Sequence, residues 1–132
     1  MIAADTNLLV RHLTHDDPIQ AAAVNRLLDQ AERDQEPVFL SHLVVCEAVW
    51  ALRMVYGFDK SKVVLALQFL LGDDRFVFQQ RPVVEAALKQ FQTGPAQFTD
   101  YMIGHVSKHE GAATTYTFDK AAAKSPNFTL LK

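Results

Sequence analysis

The chain opens Met1-Ile2-Ala3-Ala4-Asp5-Thr6-Asn7-Leu8-Leu9, four apolar or small residues followed by three polar ones and a return to leucine. Met1 to Ala4 is an apolar run suited to a short buried strand, and Asp5, Thr6 and Asn7 bring the side-chain oxygens that cap a helix beginning near Leu8. A strand feeding straight into a helix is the start of a crossover unit. The same alternation recurs down the chain. Asp17-Pro18 begins a second helix, over which Ile19, Ala22, Ala23, Leu27 and Ala31 recur at helical spacing to about Asp34. Residues 37–40 read as a buried strand, Ser41 caps a helix over 42–56, and Gly57 stops it. Asp59 caps the next helix, which runs to Leu71; a strand over 75–78 and a helix opened by Pro82 follow. Beyond the Gly94-Pro95 break lie a helix over 97–109, a strand over 113–117, a short helix over 120–123 and a last strand over 128–131. Strands separated by helices must pair mainly in parallel, so the expected fold is α/β, a three-layer α/β/α sandwich with a mainly parallel central sheet.

Bulk properties narrow the class. A chain of 132 residues, 49% of them hydrophobic, suffices for one ordinary core, and no linker or repeat interrupts it, so a single domain over 1–132 is expected. A carboxylate at position 5 leaves no room for the apolar region of a signal peptide. The most apolar runs are broken by Glu47 and Gln68, far short of the roughly 20 residues that a membrane span needs. The single cysteine, Cys46, has no internal partner for a disulfide, and the expectation is a soluble protein of the reducing cytoplasm. A net charge of −2 argues against a protein that coats polyanions by charge alone. It does not exclude an enzyme of nucleic acids, because bound divalent cations reverse the sign of a local acidic site.

Four carboxylates carry the chemistry. Asp5 and Asp119 fall just past strands, at the carboxyl ends where open parallel sheets form their sites. Glu47 and Asp100 fall in helices rich in apolar residues. Arg53 is six positions from Glu47, off its helical face, and positions 96, 97, 103 and 104 around Asp100 are Ala, Gln, Ile and Gly. Both acids are therefore expected to be withdrawn from water without a basic neighbour, at a cost of several kcal/mol unless something cationic compensates. If their helices converge on the strand ends, the four acids share a pocket and repel one another unless a divalent ion holds them. Mg²⁺ or Mn²⁺ is the simplest resolution. Taken singly, each acid also has an ordinary reading as a cap or surface residue.

The same segments are similar to a known family. Ile2-Ala3-Ala4-Asp5-Thr6-Asn7-Leu8-Leu9 resembles the first motif of PIN domains, and Val45-Cys46-Glu47-Ala48-Val49-Trp50-Ala51-Leu52 the second. Phe98-Thr99-Asp100-Tyr101-Met102-Ile103 resembles the third, and Thr115-Tyr116-Thr117-Phe118-Asp119-Lys120 the fourth. Order, spacing and length resemble VapC-type toxins in particular. The resemblance implies a Mg²⁺- or Mn²⁺-dependent endoribonuclease with Asp5, Glu47, Asp100 and Asp119 as its catalytic and metal-binding acids. Asn7 and Thr117 match polar positions beside the site. Asp5 and Asp100 would bind metal most directly, while Glu47 and Asp119 complete the shell or orient water. Gln97 stands where many members carry a further acid, which weakens the case for a second ion. A VapB-type antitoxin is the implied partner. The rival expectation is a PIN-like module that binds RNA or protein without catalysis.

Other features are assigned lesser roles. Arg11, Lys108 and Lys120 lie within one or two helical turns of motif residues and are candidates for steering an RNA backbone. His105 and His109 are four apart, but without the glutamate of a zinc-protease motif they read as surface histidines. Asp5-x-Asn7 lacks the second acid of the phosphoaspartyl phosphatases. The helix containing Val63, Leu65, Leu67, Phe69 and Leu71 is apolar nearly all round, a surplus that points to a homodimer contact or an antitoxin groove.

Overall fold

Residues 1–132 are all described in the computed structural model, and they form two compact units, Met1–Gln79 and Gln80–Lys132. In the first unit β1 (Ile2–Ala3), β2 (Val38–Leu40) and β3 (Phe76–Phe78) pair in the order β1-β2-β3, every pairing parallel. Ile2 lies beside Val38, and Val38 beside Phe76. Side chains alternate across a strand, so Val38 and Leu40 are buried on either side of half-exposed Phe39, and Phe76 and Phe78 on either side of exposed Val77.

Four helices complete this unit: α1 (Thr6–Thr14), α2 (Pro18–Arg33), α3 (His42–Met54) and α4 (Lys60–Leu71). Their starts are fixed by the caps expected from sequence: Asp17 accepts from the Gln20 N–H at 3.0 Å, Ser41 from Val44 at 3.2 Å and Asp59 from Lys62 at 2.9 Å. α2 buries Ala21, Val24, Leu28 and Ala31, a single stripe at helical spacing. α4 buries Val63, Val64, Leu67 and Leu70 but leaves Leu65 and Phe69 mostly in solvent. Each fully buried leucine here contributes roughly 1.5–3 kcal/mol through lost water contact.

The second unit contains α5 (Arg81–Thr93), α6 (Phe98–His109), β4 (Thr115–Thr117), a 3-10 turn (Ala122–Lys124) and β5 (Phe128–Leu130). β4 and β5 pair in parallel, with Thr115 beside Phe128 and Thr117 beside Leu130. α5 and α6 meet through Phe91 and Phe98, whose rings sit edge to face with centroids 5.9 Å apart. α6 carries Gly104 in its interior, where glycine costs about 1 kcal/mol relative to alanine. The reason is close approach: a Cβ at 104 would stand 2.7 Å from Phe128 Cε2 and 3.1 Å from Asn127 Cβ.

Several elements are shorter than the sequence predicts, and for two of them the local reason is plain. β4 begins at Thr115 rather than at 113 because Ala112 N–H bonds back to Ser107, so the chain is still leaving α6. The short helix over 120–123 becomes a 3-10 turn that starts two residues later, at Ala122, because Asp119 bonds the N–H groups of Ala121 and Ala122. Strands that connect through helices and pair only in parallel place the fold in the α/β class.

Candidate active site

In the first unit, Asp5 follows β1 and is the N-cap of α1, its Oδ1 accepting from Leu8 N–H at 3.1 Å. Its neighbour Thr6 donates its hydroxyl to Glu47 Oε2 at 3.3 Å, across 41 residues of sequence. Packing of α1 on α3 thus brings the acids of the first two motifs to the two sides of Thr6. Asn7 is exposed in the first turn of α1.

In the second unit, Asp100 occupies the third position of α6, and its Oδ2 accepts from Gln97 N–H at 3.0 Å. The turn before α6 is packed rather than loose. The Tyr101 hydroxyl accepts from Ala96 N–H at 3.1 Å, and a Cβ on Gly94 would overlap that hydroxyl. Asp119 follows β4, and its Oδ1 accepts from Ala121 N–H at 2.8 Å and from Ala122 N–H at 3.2 Å. Its own N–H donates to Thr117 Oγ1 at 3.0 Å, so Thr117 holds the backbone at the acid rather than merely neighbouring it.

The expectation that Glu47 and Asp100 are withdrawn from water is corrected: Glu47 is exposed and Asp100 half-buried. Glu47 sits on the outer stripe of α3, between Leu43 and Trp50, and Asp100 lies one turn from the open N-terminus of its helix. The apolar residues near them in sequence face other directions. No desolvation penalty therefore demands a cation. His105 is likewise not a free surface histidine: it is half-buried, one ring nitrogen lies 2.8 Å from Gln90 Oε1, and burial, with a smaller push from Lys108, lowers its pKa. His109 is exposed.

Within neither unit do three acidic, histidine or cysteine side chains gather as a ready cation cage. What the motif acids share is their bonding. Asp5, Glu47, Asp100 and Asp119 each accept only from a neutral N–H or hydroxyl, and none enters an ion pair. Each retains a carboxylate oxygen with no hydrogen bond from the protein. Hard, uncompensated carboxylate oxygens oriented by neutral donors are the kind of donor that Mg²⁺ and Mn²⁺ prefer.

The three steering candidates differ. Arg11 is half-buried and committed: its guanidinium donates to Gln20 Oε1 at 2.7 Å, Asp16 Oδ1 at 3.3 Å and the Tyr56 hydroxyl at 2.9 Å. Hydrogen bonds from Tyr56 and Thr14, and then the Arg11 charge, hold the Asp16 carboxyl below its usual range. Lys108 and Lys120 are exposed, and neither enters an ion pair. Sequence reading missed the roles of Thr6 and of the Gln97 backbone. A hydroxyl next to Asp5 gives no sign of a partner 41 positions away, whereas Gln97 three residues before Asp100 matches a capping-box spacing.

The chain is similar to a VapC ribonuclease of Aquifex aeolicus (strain VF5), with 19% identity over 120 residues that cover 91% of this chain and 88% of that protein. The family model for the PIN domain matches residues 2–126, a span that takes in all four motif acids and every helix and strand except the last, and the chain therefore belongs to the PIN-domain family.

Proposed function

We propose that this PIN-domain chain is an endoribonuclease that depends on Mg²⁺ or Mn²⁺ and cleaves single-stranded regions of RNA, with Asp5, Glu47, Asp100 and Asp119 holding the ion and residues 1–132 working as one domain. One observation carries the reading: four acids from four sequence motifs are each oriented by a neutral donor and left without a protein cation. When bound, the ion supplies Lewis acidity toward a phosphate oxygen and a water more acidic than bulk water. The chain's own part is to fix the ligating oxygens. Leu8 N–H sets the Asp5 carboxylate, the Thr6 hydroxyl restrains Glu47, Gln97 N–H sets Asp100, and the turn 117–122 sets Asp119. Water adds across the phosphodiester and the 3′-oxygen leaves, giving 5′-phosphate and 3′-hydroxyl ends. Lys120, next to Asp119, and Lys108 are the basic side chains available to the RNA backbone.

The biological role proposed is the toxin of a VapBC-like pair in the cytoplasm, supported by similarity to the VapC ribonuclease and by the absence of any helix long and apolar enough to cross a membrane. A VapB-type antitoxin and a second copy of the chain are the partners proposed. The apolar side chains left exposed on α3 (Leu43, Trp50, Met54) and α4 (Leu65, Phe69) support such contacts.

Incubation of purified protein with single-stranded RNA in Mg²⁺, Mn²⁺ or EDTA tests the reading. Cleavage is expected with either metal and not with EDTA, and Asp5→Asn is expected to lower it more than about 100-fold with the fold retained. Metal-independent cleavage, or an Asp5→Asn variant as active as the parent, overturns it. RNA binding with no cleavage under any metal favours the non-catalytic binding module instead.

A further inference from the structure

The outer face of the β4–β5 pair is aromatic, which a small protein normally avoids. Side chains on β4 alternate, so Tyr116 points away from the face of Thr115 and Thr117, and Phe118 follows at the bend just past the strand; Tyr116 is 66% exposed and Phe118 78%. Tyr116 is in register with exposed Thr129, and the Thr114 and Thr129 hydroxyls lie 2.7 Å apart on that face. Leu131, 47% exposed, continues the face beyond β5. The opposite face is spent on packing, with Phe128 pressed against Gly104 of α6.

The backbone on either side of Phe118 is tied down. The flanking residues are held by the Asp119 N–H bond to Thr117 Oγ1 and by the Leu131 N–H bond to the Thr117 carbonyl at 2.8 Å. The next residue is the motif acid Asp119, and Lys120 and Lys132 follow the carboxyl ends of the two strands. An exposed ring on a tied backbone beside the proposed site of cleavage, with lysines at the same edge, has the chemistry of a stacking surface for nucleic acid without a paired strand.

We propose that Tyr116 and Phe118 form a stacking platform for an unpaired base of the RNA strand engaged at Asp119, and so contribute to which single-stranded segment is cut. This rests on the ribonuclease reading above and extends it to substrate selection. Apolar surface alone does not serve this role; aromatic faces are required.

The probe is a short single-stranded RNA carrying 2-aminopurine, whose fluorescence is quenched by stacking, titrated with protein in EDTA so that cleavage does not intervene. Quenching is expected with the parent protein and with Phe118→Trp. Phe118→Ala and Phe118→Leu are expected to bind about 10-fold more weakly with the quenching lost, and Tyr116→Ala to bind more weakly by a smaller factor. In Mg²⁺, Phe118→Ala is expected to raise KM more than it lowers kcat. Binding and quenching by Phe118→Ala or Phe118→Leu equal to the parent's overturn the platform. So does sedimentation showing a parent dimer that Phe118→Ala converts to monomer with RNA binding unchanged, since the face is then a contact between copies. Phe118-dependent quenching in a protein that cuts no RNA under either metal keeps the platform and discards the nuclease; cleavage with a KM indifferent to Phe118 does the reverse.

Discussion

The two units hold their motif acids by different means. In the second unit Asp100 and Asp119 are set by the chain immediately around them: Gln97 N–H, Ala121 N–H, Ala122 N–H and the Thr117 hydroxyl all lie within three residues of the acid they serve. In the first unit Asp5 is set locally by Leu8 N–H, but Glu47 depends on the packing of α1 against α3 and on Thr6, 41 residues away. Local bonds form as soon as their own turn forms. The Glu47 contact exists only once the unit has folded, so the two halves of the proposed site differ in what disturbs them.

The sharpest test of that contrast is Thr117→Val, which keeps the shape but leaves the Asp119 N–H, in its exposed turn, without its acceptor. Activation by Mn²⁺ is expected to need about 10-fold more metal, with about 1 kcal/mol of stability lost in urea unfolding. A metal requirement unchanged in this variant means that Asp119 is held by Ala121 and Ala122 alone.

Acid should act on the first unit through His12. This ring is 7% exposed, both nitrogens lack hydrogen-bond partners, and it lies 5.4 Å from Phe76 and 6.2 Å from Phe69 between ring centroids. Burial, then the Arg75 charge, lowers its pKa against a smaller opposing pull from Asp73, and His15 adds a further lowering. With the folded value depressed, the unfolded chain binds the extra proton first, so stability is expected to fall as pH drops below about 6.5 and to level off below the folded value. His12→Phe should flatten that decline in unfolding curves taken across this range. A decline that persists unchanged assigns it elsewhere, with His105 of the second unit the next group to examine.

Thr6→Val gives the smallest expected effect. Its bond to Glu47 is long and exposed, so stability should change by no more than about 0.5 kcal/mol and RNA cleavage by no more than about threefold. A loss as large as that of Thr117→Val would show that the hydroxyl, rather than helix packing, places Glu47.

This division also explains what was legible in the sequence. Asp17, Ser41 and Asp59 announce helix starts because a cap acts within three residues, and Asp5 does the same after its strand. The alternation of strands and helices yields the parallel α/β class for the same reason. The exposure of Glu47 and Asp100 lies beyond such signals, because neighbours in sequence say little about which side of a helix meets the core. His12, with both nitrogens enclosed, and Arg11, bound to Tyr56 across 45 residues, depend on tertiary neighbours that no local pattern reveals.

β4 has one partner strand, β5, and Leu131 N–H closes on the Thr117 carbonyl. During synthesis, then, the strand leading to Asp119 stays unpaired until residues 128–131 have cleared the ribosome.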